Sequence, residues 1–231
     1  MRIEFELKEG YASHDLAKFK ENGLLFYAKS TSKKGKTREW KIEKYSNNLE
    51  LGSTKTIDIP KDQDLDETYT SDTDLYMFFN SKKGEYTFFK INAKTLKIDR
   101  IEGKLPSKAQ VYEIHVLDNI VFFDAVIKKS PMLFTLDIRS KEQGLVPIDL
   151  SGYDSKKLSI EDVQVVDESK EVLVYINAYS KKVHNMYVIK FDHSGNKKST
   201  FNITKGHEMK LSSISASYIG KGAYIYTGTY S

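Results

Sequence analysis

Residues 75–106 read LYMFFNSKKGEYTFFKINAKTLKIDRIEGKLP. The run at 75–79 is apolar without a break, so it has no polar face. That marks a strand covered on both sides. SKKG at 81–84 is a turn, and the aromatic-rich 86–91 forms the returning strand. A second turn at 92–94 leads into a Lys-rich strand that ends at Leu105 and Pro106.

Recognisable versions of this unit recur along the chain. The apolar runs begin at Leu25, Leu75, Ile120, Val172 and Tyr224, spaced by 50, 45, 52 and 52 residues. The residues before the Asn, Asp or Ser turn are Tyr45, Ile91, Ile138 and Phe191, spaced by 46, 47 and 53. Both landmarks give a period near 50 with several strands per repeat, which points to a propeller-type repeat. A more polar strand precedes each apolar run, at 14–20, 67–72, 111–118, 160–167 and 212–219. Each unit therefore reads as four strands. The inner one is polar, the middle two are apolar, and the outer one is Lys-rich, with charge guarding its edge.

The expected fold is all-β, a β-propeller-like array of four-stranded antiparallel blades over 12–60, 67–106, 111–151 and 159–204, with a partial blade over 211–231. Residues 1–8 alternate apolar and polar and are expected to supply a closing outer strand. About four and a half blades close badly, so a fragment of a larger propeller is expected. A two-sheet sandwich fits the period less well. A turn or two of helix near His14–Gly23 is the only helical alternative.

Composition narrows the function classes. The net charge is +4, Lys outnumbers Arg, and Arg occurs only at Arg2, Arg38, Arg100 and Arg139. Lysines interleaved with acids read as a solvated surface, so no nucleic-acid partner is expected. With no Cys, disulfides, Cys-ligated zinc and thiol catalysis are excluded. No run approaches the roughly 20 apolar residues of a membrane helix, and MRIEFELKEG lacks a signal-peptide core. Localisation stays open, with the cell envelope or exterior expected if a leader has been removed.

No metal-ligand spacing occurs among His14, His115, His184, His193 and His207. Calcium-loop, P-loop, GxGxxG and GxSxG patterns are also absent. No cofactor is expected. Acids are frequent on the inner strands: Asp15, Glu67, Asp72, Glu113, Asp118, Glu161 and Asp162. They single out no catalytic pair of the kind a glycosidase needs. The candidate ligand-binding residues are His14, Glu67, Glu113, His115 and Glu161. Trp40 reads as blade core at the start of a strand, and Tyr224, Tyr226 and Tyr230 as an exposed edge open to association.

The runs LLFYA, LYMFF, IVFFD, VLVYI and YIYTG, each followed by a turn and an aromatic-rich strand, make the chain resemble the divergent β-propellers. Its Lys-rich, Tyr-rich style resembles propeller proteins of Bacteroidota envelopes. The Trp-Asp dipeptide of WD40 repeats and the double glycines of kelch repeats are missing. The expected function is a non-catalytic binding or scaffold module. Its loops at 61–66, 107–110, 152–158 and 205–210 would present a surface to a protein or glycan ligand. The alternative is a propeller hydrolase or lyase with an axial acid and histidine site. A half-propeller that joins another chain is the third reading.

Overall fold

The computed structural model describes residues 10–179, 184–204, 211–221 and 223–230. The expected outer strand over 1–8, the turn at 180–182, the loop at 205–210 and His207 lie outside these residues. The chain divides after Leu105 into two compact units. No helix among the described residues is long and apolar enough to cross a membrane.

The first unit holds two antiparallel meanders. One contains β1 (Tyr11–Phe19), β2 (Gly23–Lys34), β3 (Thr37–Tyr45) and β4 (Leu51–Pro60). The other contains β5 (Gln63–Thr70), β6 (Asp74–Ser81), β7 (Glu85–Asn92) and β8 (Ile98–Lys104). Leu75, Met77 and Phe79 of β6 pack on Leu25, Trp40 and Ile42 of the first sheet. The Trp40 and Phe79 rings meet edge-on, with centroids 5.3 Å apart. Tyr76 and Phe78, on the other face of β6, are buried as well. LYMFF is therefore a doubly covered strand, and each fully buried Phe contributes ~1.5–3 kcal/mol. Trp40 lies in the middle of β3, not at its start.

The second unit holds β9 (Ala109–Leu117), β10 (Ile120–Ile127), β11 (Ser130–Asp137) and β12 (Gln143–Pro147) as its first meander. The next comprises β13 (Leu158–Val166), β14 (Glu171–Tyr179), β15 (His184–Asp192) and β16 (Lys197–Asn202). β17 (Leu211–Gly220) and β18 (Ala223–Tyr230) pair as a two-stranded sheet. Phe122 and Leu133 pack with Val163, Val174 and Ile176. Leu173, Tyr175 and Val188 pack with Ala216, Tyr224 and Tyr226. The fold is thus all-β, a propeller-like series of four-stranded antiparallel blades.

The sequence pattern carries this order through recognisable chemistry. Outer strands are largely exposed, as in β4, where only Ile57 and Ile59 are buried. The turn from third to fourth strand is capped by a side-chain oxygen in each of the four-stranded sheets. Ser46 Oγ accepts the Asn48 and Glu50 amides, and Asn92 Oδ1 accepts Thr95 N–H. Asp137 Oδ1 accepts from Arg139 and Ser140, and Asp192 Oδ1 from Ser194 and Asn196. These are Asx and Ser turns, and their left-handed position is taken by Leu49, Leu96 and Lys141 in the first three sheets and by Gly195 in the fourth. In the third sheet the cap is Asp137, so the aligned apolar residue is Leu136, two residues before the Ile138 taken from the sequence. The predicted loop over 61–66 is also mostly strand, because β5 starts at Gln63 and leaves a turn of Lys61 and Asp62. The stretch His14–Phe19 is strand throughout, with no helical turn.

Candidate functional site

The first strand of every sheet is an edge strand, and each contains a register shift. It falls between Ala12 and His14, between Leu65 and Glu67, opposite Asp124 in β9, between Ile160 and Asp162, and between Ser212 and Ser215. Each is a β-bulge, which bends the strand and re-aims a side chain.

Counting back from the capped turns through the ladders aligns one residue per sheet. Asp15 faces Tyr27, Glu67 faces Phe78, and Asp162 faces Tyr175. In the third sheet the bulged pair Tyr112 and Glu113 faces Asp124. The result is a recurring acid, Asp15, Glu67, Glu113 and Asp162, at one position of the inner strand. Charge at such a place also blocks pairing of an open edge. Asp15 Oδ1 accepts the Leu16 amide at 2.7 Å, and Asp162 Oδ1 the Val163 amide at 2.8 Å. The Tyr27 hydroxyl hydrogen-bonds Asp15 and Thr68, and burial pushes its pKa up to about 12.

The third sheet differs. Where its neighbours have an aromatic, it has Asp124, whose Oδ1 accepts the Glu113 amide at 2.5 Å. Burial first, then the charges of Glu113 and Asp162, push the Asp124 pKa up to about 6 against the lowering by that amide. Beside it, His115 Nε2 stands 3.7 Å from Glu113 Oε2. That is too long for a hydrogen bond. Burial lowers the His115 pKa to about 4, so the imidazole is neutral at pH 7 and no ion pair forms. Its Nε2 is enclosed and has no hydrogen-bond partner among the described residues. In the fourth sheet burial, then the Glu161 charge, raise the Asp162 pKa. A carboxyl that holds its proton to about pH 6, an exposed carboxylate and a neutral imidazole can bind hydroxyls and move protons.

Of the residues chosen from sequence, Glu67 and Glu113 lie on the recurring acid position. His14 is one residue before it, and its ring stands 5.9 Å from that of Phe26. Glu161 is the residue before Asp162, and its Oε2 accepts from Asn177 Nδ2 at 2.5 Å. Among the described residues the acid that His115 approaches is Glu113. His14 and Glu67 belong to the first unit, and Glu113, His115 and Glu161 to the second. Among the described residues no group of three or more His, Asp or Glu is arranged to hold a metal. Asp124 was not singled out from sequence, because it sits inside the apolar run IVFFD. A charge ending a run that is apolar elsewhere was the available signal.

A second polar feature lies at the opposite end of the third sheet. A cleft of about 930 Å³ is lined by Asp118, Asp137, Arg139, Glu142, His193 and Ser194, among others. Asp118 is paired there with Lys170 at 2.7 Å.

No protein-family model matches the chain, and no curated protein matches it. Among solved structures, a mutant of Synechocystis apocarotenoid oxygenase is similar at 10% identity and a TM-score of 0.45, over 91% of this chain and 54% of that one. The cobalt-substituted Synechocystis enzyme is similar at 9% identity and a TM-score of 0.43, over 87% of this chain and 50% of that one. A puromycin hydrolase mutant complexed with PGG is similar at 11% identity and a TM-score of 0.45, over 92% of this chain and 33% of that one. The chain thus spans about half the length of the oxygenase chains and a third of the hydrolase chain.

Proposed function

We propose that this chain is a non-catalytic binding module that offers its inner edge strands to a protein or glycan ligand. The recurrence of one acid at one position in four sheets carries the reading. Asp15, Glu67, Glu113 and Asp162 form a repeated acceptor pattern suited to the hydroxyls of a sugar or the amines of a peptide. Each repeat contributes one such group, the pattern expected of a surface that meets its ligand at several points. The test is retention of the intact chain on immobilised neutral oligosaccharides and on Lys-rich peptides, beside a folded E113Q/D162N variant. One class held by the wild type and released by the variant supports the reading. Equal retention of both proteins, or retention of neither, overturns it.

A second reading, a hydrolase or lyase, draws on the Asp124, Glu113 and His115 group alone. A carboxyl with a raised pKa beside a second carboxylate is the pattern of a general acid and base. Turnover of polysaccharides by the wild type and its loss in D124N would favour it.

A further inference from the structure

We propose that the cleft beside the β9–β10 turn binds a small zwitterion, an amino acid or short peptide that carries a free ammonium and a free carboxylate. The whole cleft lies in the second unit. The third sheet walls it, together with His193 and Ser194 from the β15–β16 turn. Its volume of about 930 Å³ is within the range of small-molecule sites.

The repeat explains why this place is open. Two residues before the capping Asn92 and Asp192 stand Lys90 and Lys190. Facing those caps across the ladder stand Asp74 and Glu171. Lys90 pairs with Asp74 at 3.6 Å, and Lys190 with Glu171 at 3.9 Å. Each pair fills this corner of its sheet with long side chains, and the ammoniums also lie over the Tyr76 and Tyr224 rings. In the third sheet both positions change together. Thr135 takes the place of the lysine, and Ile120, which faces Asp137, takes that of the acid. Across from Thr135 the fourth strand has Gly144, where Lys90 and Lys190 face Asp99 and Ser199. A Cβ on Gly144 would stand 2.5 Å from Thr135 Oγ1, so the glycine is needed beside it. An internal ion pair is thus replaced by open space lined by Ile120, Thr135 and Gly144.

Charges of both signs stand around that space unmatched. Arg139 and Glu142 line the same cleft, and among the described residues neither the guanidinium nor the carboxylate has a hydrogen-bond or ion-pair partner. Both residues bond through their backbones alone. Asp137 gives Oδ1 to the Arg139 and Ser140 amides, which leaves Oδ2 for a donor. Asp118 is held by Lys170 at 2.7 Å. An Arg fork takes a carboxylate as a bidentate pair, and Glu142 with Asp137 takes an ammonium. A ligand with both charges therefore supplies the pair that the third sheet lacks. Acids beside the arginine disfavour polyanions, and no Phe, Tyr or Trp lines the cleft for a sugar ring to lie on. None of these residues is one of the inner-strand acids, so this proposal and the binding reading above fail separately.

The test titrates the intact chain with trialanine, acetyl-trialanine and trialanine amide, read by the backbone amide NMR shifts of Glu142, Gly144 and Ser194. We expect saturable shifts with trialanine, and binding about tenfold weaker once either end is capped, the worth of one charge-assisted hydrogen bond. Alanine titrated beside it tells an amino acid from a peptide, and either source supports the site. R139Q should lose the preference for a free carboxylate, and E142Q should weaken that for a free ammonium. I120E/T135K, which rebuilds the ion pair of the second and fourth sheets, should abolish the shifts. Should it lose its circular dichroism spectrum, R139Q/E142Q must show the loss. E113Q/D162N should bind as wild type does. No saturable shift at millimolar peptide, equal binding of capped and free peptides, or wild-type binding by a folded I120E/T135K would each overturn the proposal.

Discussion

The second and third sheets treat one position in opposite ways. Phe78 in β6 and Asp124 in β10 both face the recurring acid of their inner strand, Glu67 and Glu113. Phe78 is fully buried, with its ring 5.5 Å from Tyr86. Asp124 is half-buried and spends an oxygen on the bulge amide of Glu113. The third sheet keeps its core through Val121, Phe122 and Phe123. A strand with three consecutive buried apolar residues can carry one carboxyl at its rim, provided a backbone donor meets it. The difference separates a position devoted to stability from one left available for chemistry.

The strongest attempt to break this contrast is Phe78→Asp. It places an unpaired carboxyl at a fully buried site opposite Glu67, so we expect a loss above ~4 kcal/mol and an unfolded first unit. Urea denaturation followed by near-ultraviolet circular dichroism reads it. A variant with a wild-type midpoint would show that the two positions are not differently buried. The reverse test is milder. Asp124→Ala removes the acceptor of the Glu113 amide and should lower stability by about 1–3 kcal/mol. A midpoint unchanged from wild type would show that the bulge amide finds another acceptor at no loss.

The period, the doubly apolar second strand and the turn chemistry were legible in the sequence, because each is a local pattern. Register was not. A bulge adds one residue without a compositional mark, and a slip of one residue exchanges the two faces of a strand. The inner-strand choices show this directly: His14 and Glu161 are each one residue from the aligned acids Asp15 and Asp162. The landmark at Ile138 slipped by two because Asp137, not a later residue, caps its turn. Asp124 was hidden for a different reason. Its value depends on the β9 amide that meets it, a long-range contact no window of sequence contains.

The fourth sheet offers an intermediate between the two extremes. Tyr175 occupies the same position, fully buried, and its hydroxyl donates to Gln164 Oε1 at 3.2 Å. That Gln164 also clamps Ala216, donating to its carbonyl at 2.7 Å and accepting its amide at 3.0 Å. Tyr175→Phe keeps the ring and leaves the clamp satisfied, so the expected loss is about 0.5–1.5 kcal/mol. A loss as large as that of Phe78→Asp would mean that the hydroxyl, not the ring, holds β17 in place.

The smallest effect sharpens the contrast most, because Phe78 has no titrating group and the third sheet has two that oppose each other. Asp124 has a folded pKa of about 6, above its ordinary 3.8. The folded state therefore holds the extra proton between these values, and stability falls as pH rises through them. His115 has a folded pKa of about 4 against an ordinary 6.5. Here the unfolded state holds the extra proton, and stability rises with pH across that window. The two slopes oppose each other over nearly the same range, so wild type should vary there by less than ~1 kcal/mol on their account. Each single variant exposes the other slope, at about 1 kcal/mol once partial exposure screens it. D124N should gain stability from pH 4 to 6.5, and H115Q should lose it from pH 4 to 6. Urea midpoints measured across this range decide the matter. If both variants follow the wild-type profile, the third sheet has no buried titrating pair, and its difference from the second sheet reduces to the size of one side chain.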